Sequence, residues 1–274
     1  MSRRDEARGQ DTRRRDRREV ARPATGEQGR APGRSVGLVV AALALLLGAL
    51  PTSIAAQTMD DYIYTSVMFD ELEYVPGVGG EPVEYDGEMW IGGDYDRFWL
   101  KAHGEQSTLE SEGHLEAQAL YSRTVSAFWN AQGGFRLDGS YGSGEGHTRG
   151  LLALGMEGLA PYWFQVESFL FVSQDGDVSA RLEASYEMLF TQRLVLEPEL
   201  ELNAAVQEVP EWGVGSGLND LELGARLRYE LVREFAPYVG VTWTRYLGET
   251  ADMVRAGGGA VSDGSLVFGV HWWY

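Results

Sequence analysis

The chain of 274 residues contains no cysteine, which excludes a disulfide framework, a thiolate zinc site and a cysteine nucleophile together. Lysine occurs once, at Lys101, and histidine four times. Basic residues are unevenly placed. Residues 1–34 carry 11 Arg against 6 acids, whereas the remainder sets 12 basic residues against 35 acids and holds −23 against the net −18. So acidic a surface is repelled by phosphate backbones, which argues against nucleic-acid partners and suits cations. After Gln57 there is also no apolar run long enough to cross a bilayer as a helix, so a helical membrane protein is excluded.

The arginine-rich start has its own explanation. It precedes the apolar stretch VGLVVAALALLLGAL at residues 36–50 and small residues up to Ala56. A basic n-region, an h-region and a cleavage-like end predict a secretory signal peptide over residues 1–56.

Beyond it, alternation with period two takes over. In RLVLEPELELNAAVQ (residues 193–207), Leu194, Leu196, Leu200 and Leu202 fall on one face while Glu197, Glu199 and Glu201 fall on the other. Such two-faced segments predict strands. Ten are expected, at residues 94–103, 114–125, 128–138, 149–159, 163–172, 178–190, 193–207, 219–231, 237–247 and 265–274. Most reach about ten residues, longer than the five or six usual in soluble sandwiches and matched to a bilayer. Short links near Ser126, Pro161, Thr191 and Arg233 alternate with long, Gly-rich or acidic ones. That asymmetry is typical of outer-membrane barrels, whose short turns face the periplasm. Tyr121, Phe128, Trp129, Tyr162, Trp163, Phe164, Phe190, Phe235 and Tyr238 flank the short links as an expected aromatic girdle. The last segment, LVFGVHWWY, alternates Leu266, Phe268, Val270, Trp272 and Tyr274 outward and resembles the C-terminal targeting strand of bacterial outer-membrane barrels.

The expected architecture is therefore all-β: a transmembrane antiparallel up-and-down β-barrel over residues 94–274, with ten strands, or twelve if residues 60–74 join. Residues 57–93 are left as a periplasmic extension, a plug or an extra strand, with 75–87 reading as a Pro/Gly/Glu linker.

Several segments resemble the copper resistance protein B family: FDELEY (69–74), WIGGD (90–94), QALYSR (118–123), GLAPYWF (158–164), TQRLVLEPELELN (191–203), GVGSG (213–217), LRYELVREFAPYVGVTW (227–243) and ETAD (249–252). They follow the family's order over nearly the whole mature chain. The resemblance implies an outer-membrane barrel serving copper tolerance, copper ion as the bound species, outer-membrane lipid and a periplasmic copper protein as partners, and no catalytic activity. Family members often carry a Met- and His-rich segment ahead of the barrel. Here residues 57–87 hold only Met59 and Met68 and no histidine.

Metal chemistry is thus expected in the lumen and loops. His103 and His114 bracket one long link, Glu116 points the same way as His114, and His147 closes the next link beside Glu145. Imidazole with carboxylate could bind copper or another divalent cation. Met156 and Met188 fall on outward faces and are expected to meet lipid. Glu197, Glu199, Glu201, Arg181, Glu183, Glu187, Asp220, Glu222, Arg226 and Arg228 are expected to form an ion-paired plug, since a ten-stranded lumen is little wider than one that side chains fill. A catalytic barrel would need a Ser/His or Asp/His set, and His271 is left without an assigned partner.

Overall fold

The computed structural model describes residues 62–76, 82–109, 112–142 and 146–274. The expected signal peptide, Met59 and Glu145 lie outside these. The described residues form one antiparallel sheet closed on itself: β1 (Tyr64–Tyr74), β2 (Pro82–Gly92), β3 (Asp96–Ser107), β4 (Gly113–Ser126), β5 (Trp129–Tyr141), β6 (His147–Leu159), β7 (Gln165–Ser173), β8 (Val178–Ser185), β9 (Met188–Leu189), β10 (Leu194–Ala205), β11 (Gly217–Tyr229), β12 (Phe235–Tyr246) and β13 (Ser262–Trp273). Closure comes from β1 pairing with β13, with Met68 opposite Trp273 and Tyr74 opposite Phe268. Strands β8 and β9 are two pieces of one stave, since both pair with β10. The barrel therefore has twelve staves.

The break inside that stave has a local cause. Between the two pieces the facing residue on β10 is Pro198, which has no N–H to donate to the ladder. The one bond made there is from the Tyr186 N–H to the Pro198 carbonyl, at 3.2 Å.

Two staves lie upstream of the ten expected. β1 occupies the segment left open as extension, plug or strand, and β2 covers residues read as linker. The reading of 82–87 as linker is corrected. In a barrel wall, Glu84, Asp86 and Glu88 turn to a wet interior, and Gly87 on the outer face is covered by the Phe69 ring, 3.0 Å from where a Cβ would stand.

Staves of 9–14 residues rise about 3.3 Å per residue, and with a tilt near 40° most span roughly the hydrocarbon thickness. Their outer faces are apolar and uncovered: Phe135 is 68% exposed, Leu154 64% and Leu266 56%. So continuous an apolar belt is stable only against lipid, and the barrel resides in the outer membrane. Met156 and Met188 lie on this face, as expected. Phe128, Tyr162, Trp163, Phe164 and Phe190 form an exposed aromatic ring at the short-turn end. One residue assigned to that girdle is not in it. Tyr238 is buried with its ring over Gly269, its partner on β13, whereas Trp129 shares the outer face with Gly158, its partner on β6. A Cβ on Gly269 would come within 2.5 Å of that ring, so the glycine makes the room.

At the opposite end, two loops fold over the rim. Residues 206–216 contain a short 3-10 turn, Pro210–Trp212, and residues 247–261 contain helix α1 (Gly248–Ala256) where the sequence suggested plain loop. They are fastened together: the Gly215 N–H and the Asn219 amide both donate to Thr250 Oγ1 at 2.9 Å, and the Ser216 N–H and hydroxyl donate to Glu249 Oε2 at 3.0 and 2.7 Å. Those two donors hold the Glu249 carboxyl below the usual glutamate range.

Candidate functional site

Inward-facing residues of neighbouring staves oppose one another in register, so the lumen wall is organised in polar rows running across the strands. One row reads Asp86, His103, Glu116, Asp138, Arg149 across β2 to β6. The next, one step nearer the looped rim, reads Glu73, Glu84, Glu105, His114, Ser140, His147. All four expected ligands thus belong to two adjacent rows. His103 and Glu116 are direct cross-strand partners. His114 and His147 share a row but are separated by Ser140 on the intervening strand.

Their present contacts differ. His103 Nδ1 lies 3.2 Å from Asp86 Oδ2. It sits well inside β3 rather than at the edge of a loop, because Gly104 allows the Tyr85 ring to cover the outer face and the strand runs on to Ser107. Glu116 is 2% exposed and held by Arg136 at 2.7 Å, by Arg181 at 2.9 Å and by the Gln118 amide at 2.7 Å. His114 meets Trp212 edge-on, with ring centroids 6.2 Å apart. His147 is exposed at the rim. Among the described residues, no three His, Asp or Glu side chains stand close enough to hold one ion in this arrangement. The expected set supplies pairs, not a finished coordination shell.

Most of the groups expected to pair in the interior do so, while Asp220 and Glu222 accept from the Asn203 amide and the Thr244 hydroxyl. Arg226 bonds Glu199 and also Glu71 and Glu73, at 2.7 and 2.6 Å, and Arg228 bonds Glu187 and Glu197, the latter at 2.6 Å. A separate buried layer crosses β4 to β8, where Arg136 and Arg149 share Asp138 at 2.6 and 2.8 Å and Arg136 and Arg181 share Glu116. Arg149 stacks on Trp212 at 4.3 Å and Arg136 on Phe171 at 4.4 Å, so the rim loop rests on this layer and encloses a cavity of about 210 Å³ beneath it.

These pairs do not fill the barrel, and the expectation of a plug is corrected. Twelve staves enclose more space than ten, and a second cavity of about 740 Å³ remains, reaching from His103, Glu116 and Glu222 down to Asp94, Ser126 and Gln165 near the short turns. Fourteen carboxylates line it against three arginines and one lysine, so its field favours cations whatever their identity. His103 is its one imidazole and Met68 its one thioether. Donors of this kind fit a divalent metal held by oxygen and nitrogen. At the periplasmic end His271 has a partner after all, with Nδ1 3.8 Å from Asp70 Oδ1.

Sequence reading missed Asp86, Glu84 and Glu88, because residues 75–87 were taken for linker and those up to 93 left undecided, although their spacing of two was a strand signal. It also passed over Lys101, which stands 2.5 Å from Glu167, 3.5 Å from Glu157 and 3.9 Å from Glu88.

Residues 63–274 match the family model described as "Copper resistance protein B precursor (CopB)". The chain is 41% identical over 217 residues to a protein named "Copper resistance protein B" from Escherichia coli, covering 78% of this chain and 71% of that one. It is 39% identical over 218 residues to a "Copper resistance protein B homolog" from Pseudomonas syringae pv. tomato, covering 80% and 72%. Among solved structures, a NanC porin superposes with a TM-score of 0.47 at 12% identity, covering 76% of this chain and 99% of that one; so loose a match carries no argument.

Proposed function

Because this chain belongs to the copper resistance protein B family, we propose that its barrel contributes to copper resistance by holding copper ions in the lumen or restricting their passage across the outer membrane. The observation that carries this reading is the excess of carboxylates around the 740 Å³ cavity, with His103 and Asp86 in its wall. Cations are concentrated there by the field, and imidazole adds a nitrogen donor suited to copper. Glu116 lines the same cavity, His114 lines the smaller one under the rim loop and His147 stands exposed at the rim; these are the further candidates. A periplasmic copper protein would exchange metal at the short-turn end, where the cavity approaches the surface. No step of this reading involves catalysis.

Growth in graded copper of a strain lacking the gene, with and without the gene restored, tests it. Restored tolerance supports the proposal. Equal growth together with altered small-solute uptake would instead favour a narrow porin-like barrel without copper specificity. The residue assignment is tested by titrating purified barrel with cupric ion at pH 7.5 and pH 5, beside the His103→Ala/His114→Ala double variant. Neutral imidazole binds metal and imidazolium does not, so the native protein is expected to bind more weakly at pH 5 than at pH 7.5, and the variant to depend less on pH. Identical titrations would remove the histidines from the site.

A further inference from the structure

A third row is more unusual than the two carrying the histidines. Glu157 on β6 is the direct partner of Glu167 on β7, Glu167 of Glu183 on β8, Glu183 of Glu201 on β10, and Glu201 of Glu222 on β11. Thr244 and Asp263 on β12 and β13 continue it. Five successive staves therefore place a glutamate side by side with the next, about 5 Å apart, in the geometry where like charges destabilise a sheet. Because staves tilt, a row that follows cross-strand register climbs the wall. This one begins at Glu157, two residues from the short-turn end of β6, and reaches Asp263 beside the rim loop, so it traverses the height of the barrel.

Compensation within the protein is partial. Lys101 serves Glu157 and Glu167, Arg181 reaches Glu183 at 3.8 Å and Glu201 at 3.5 Å, and Glu222 receives the Thr244 hydroxyl at 2.9 Å. Two fixed cations serve five carboxylates, and one of these cations, Arg181, is shared with Glu116. Beside Lys101, two buried amides present oxygens that no donor meets. Gln118, its β4 partner, is 8% exposed and lines the cavity, and Gln132, 4% exposed, gives its N–H to Glu157 at 2.7 Å; the Oε1 of each lacks a partner. Carboxylate and amide oxygens left short of positive charge are the donor set of a cation site.

We propose that the row from Glu157 to Glu222 is a binding track for divalent cations, in which the Lys101 ammonium and the Arg181 guanidinium are tethered placeholders that an entering ion displaces. The proposal rests on the copper reading above and makes it more specific. The track offers oxygen donors and no thiolate, so it takes cupric rather than cuprous ions, and among divalent metals copper binds such donors most tightly.

The test is titration of purified, folded barrel with cupric chloride, and with cuprous ion in competition with a cuprous chelator. Folding of each variant is verified by the heat-dependent shift in gel mobility. Glu167→Gln/Glu183→Gln is expected to weaken cupric binding about tenfold or more, equivalent to about 1.4 kcal/mol. Lys101→Leu, which removes a competitor and neither removes nor adds a ligand, should move the other way and tighten it several-fold. Cuprous binding should be weak in all three proteins. A double variant that titrates like the native barrel, or a Lys101→Leu variant that binds no more tightly, overturns the track. If the native gene still confers copper tolerance in that case, the broader reading survives. If the native gene confers none, that reading fails first and the track with it.

Discussion

Glu116→Gln isolates the charge of the buried layer from its shape. The native carboxylate is 2% exposed and neutralises two guanidinium groups, Arg136 at 7% and Arg181 at 19% exposure. The amide keeps the volume and one acceptor but strands positive charge between Phe171 and Asp138. Breaking a buried pair by removing one partner costs about 3–5 kcal/mol, because the surviving charge stays desolvated. Arg181 borders the wet cavity, and Arg136 retains Asp138, so the low end, about 3 kcal/mol, is expected here. The measurement is reversible urea unfolding in lipid, followed by the gel-mobility shift. The control is Asp96→Asn, which breaks the Arg123 pair at 3.6 Å between side chains 65% and 50% exposed and should cost at most about 0.5 kcal/mol. Adding Arg181→Met to Glu116→Gln removes one stranded cation and should recover part of the loss. A Glu116→Gln variant no less stable than Asp96→Asn would show the layer to be as well hydrated as a surface pair, and the reasoning would fail.

Three more perturbations probe the wall and the rim. Gly269→Leu puts a side chain where a Cβ already comes within 2.5 Å of the Tyr238 ring; overpacking of about 1–3 kcal/mol should appear as reduced assembly into outer-membrane fractions. Leu154→Arg places a charge at the middle of β6 on the lipid face, where about 2–4 kcal/mol of destabilisation is expected, whereas the same substitution in detergent-solubilised barrel should be milder. The third concerns Glu249, whose carboxyl lies below its ordinary value of 4.5 through the Ser216 donors. A depressed value means that the latch is at full strength above the ordinary value and weakens as pH falls through the depressed one. Hydrogen exchange at Gly215 and Ser216 should therefore accelerate below about pH 4.5 once corrected for intrinsic rates, and Glu249→Gln should show the faster corrected rate already at pH 7.

How much of this was legible in the sequence depends on which face of the wall a residue occupies. Outward alternation located staves such as β10 and β11, because lipid demands Leu or Val at every second position. β2 escaped because Pro82 and Gly87 within PVEYDGEMWIG read as breakers. In a barrel Pro82 only starts a strand, and Gly87 is roofed by Phe69. For the same reason β3 seemed to end at His103, when Gly104 is roofed by Tyr85. The family resemblance gave motif order but not contact: GVGSG and ETAD, far apart in sequence, are joined through Thr250 and Glu249 at the rim. Cross-strand register was the least legible element. It depends on turn lengths and on bulges such as those at Phe69/Glu71 and Asn203/Ala204, and a slip of one residue would send each glutamate of a row to the lipid side. The individual acids of the candidate site could be read from the chain, but their arrangement in rows could not.

That dependence bears on where this chain keeps its metal chemistry. A Met- and His-rich tract binds soft copper through flexible chain and needs no register. Residues 57–87 offer little of that kind, so the proposed binding rests on side chains that the barrel itself aligns. Alignment has a cost, since glutamates in lateral contact raise the energy of the empty wall, and Lys101, the single lysine of the chain, stands where two of them meet. Lysine reaches that point on a flexible stem and holds it as a compact ammonium without the planar, two-point grip of arginine. Among the described residues, the lumen's other fixed cations are arginines, several locked in the buried layer by more than one contact. The distribution separates two tasks along one wall: arginine where the barrel must stay closed under its rim loop, and a lone displaceable ammonium where the acidic row must accept an ion.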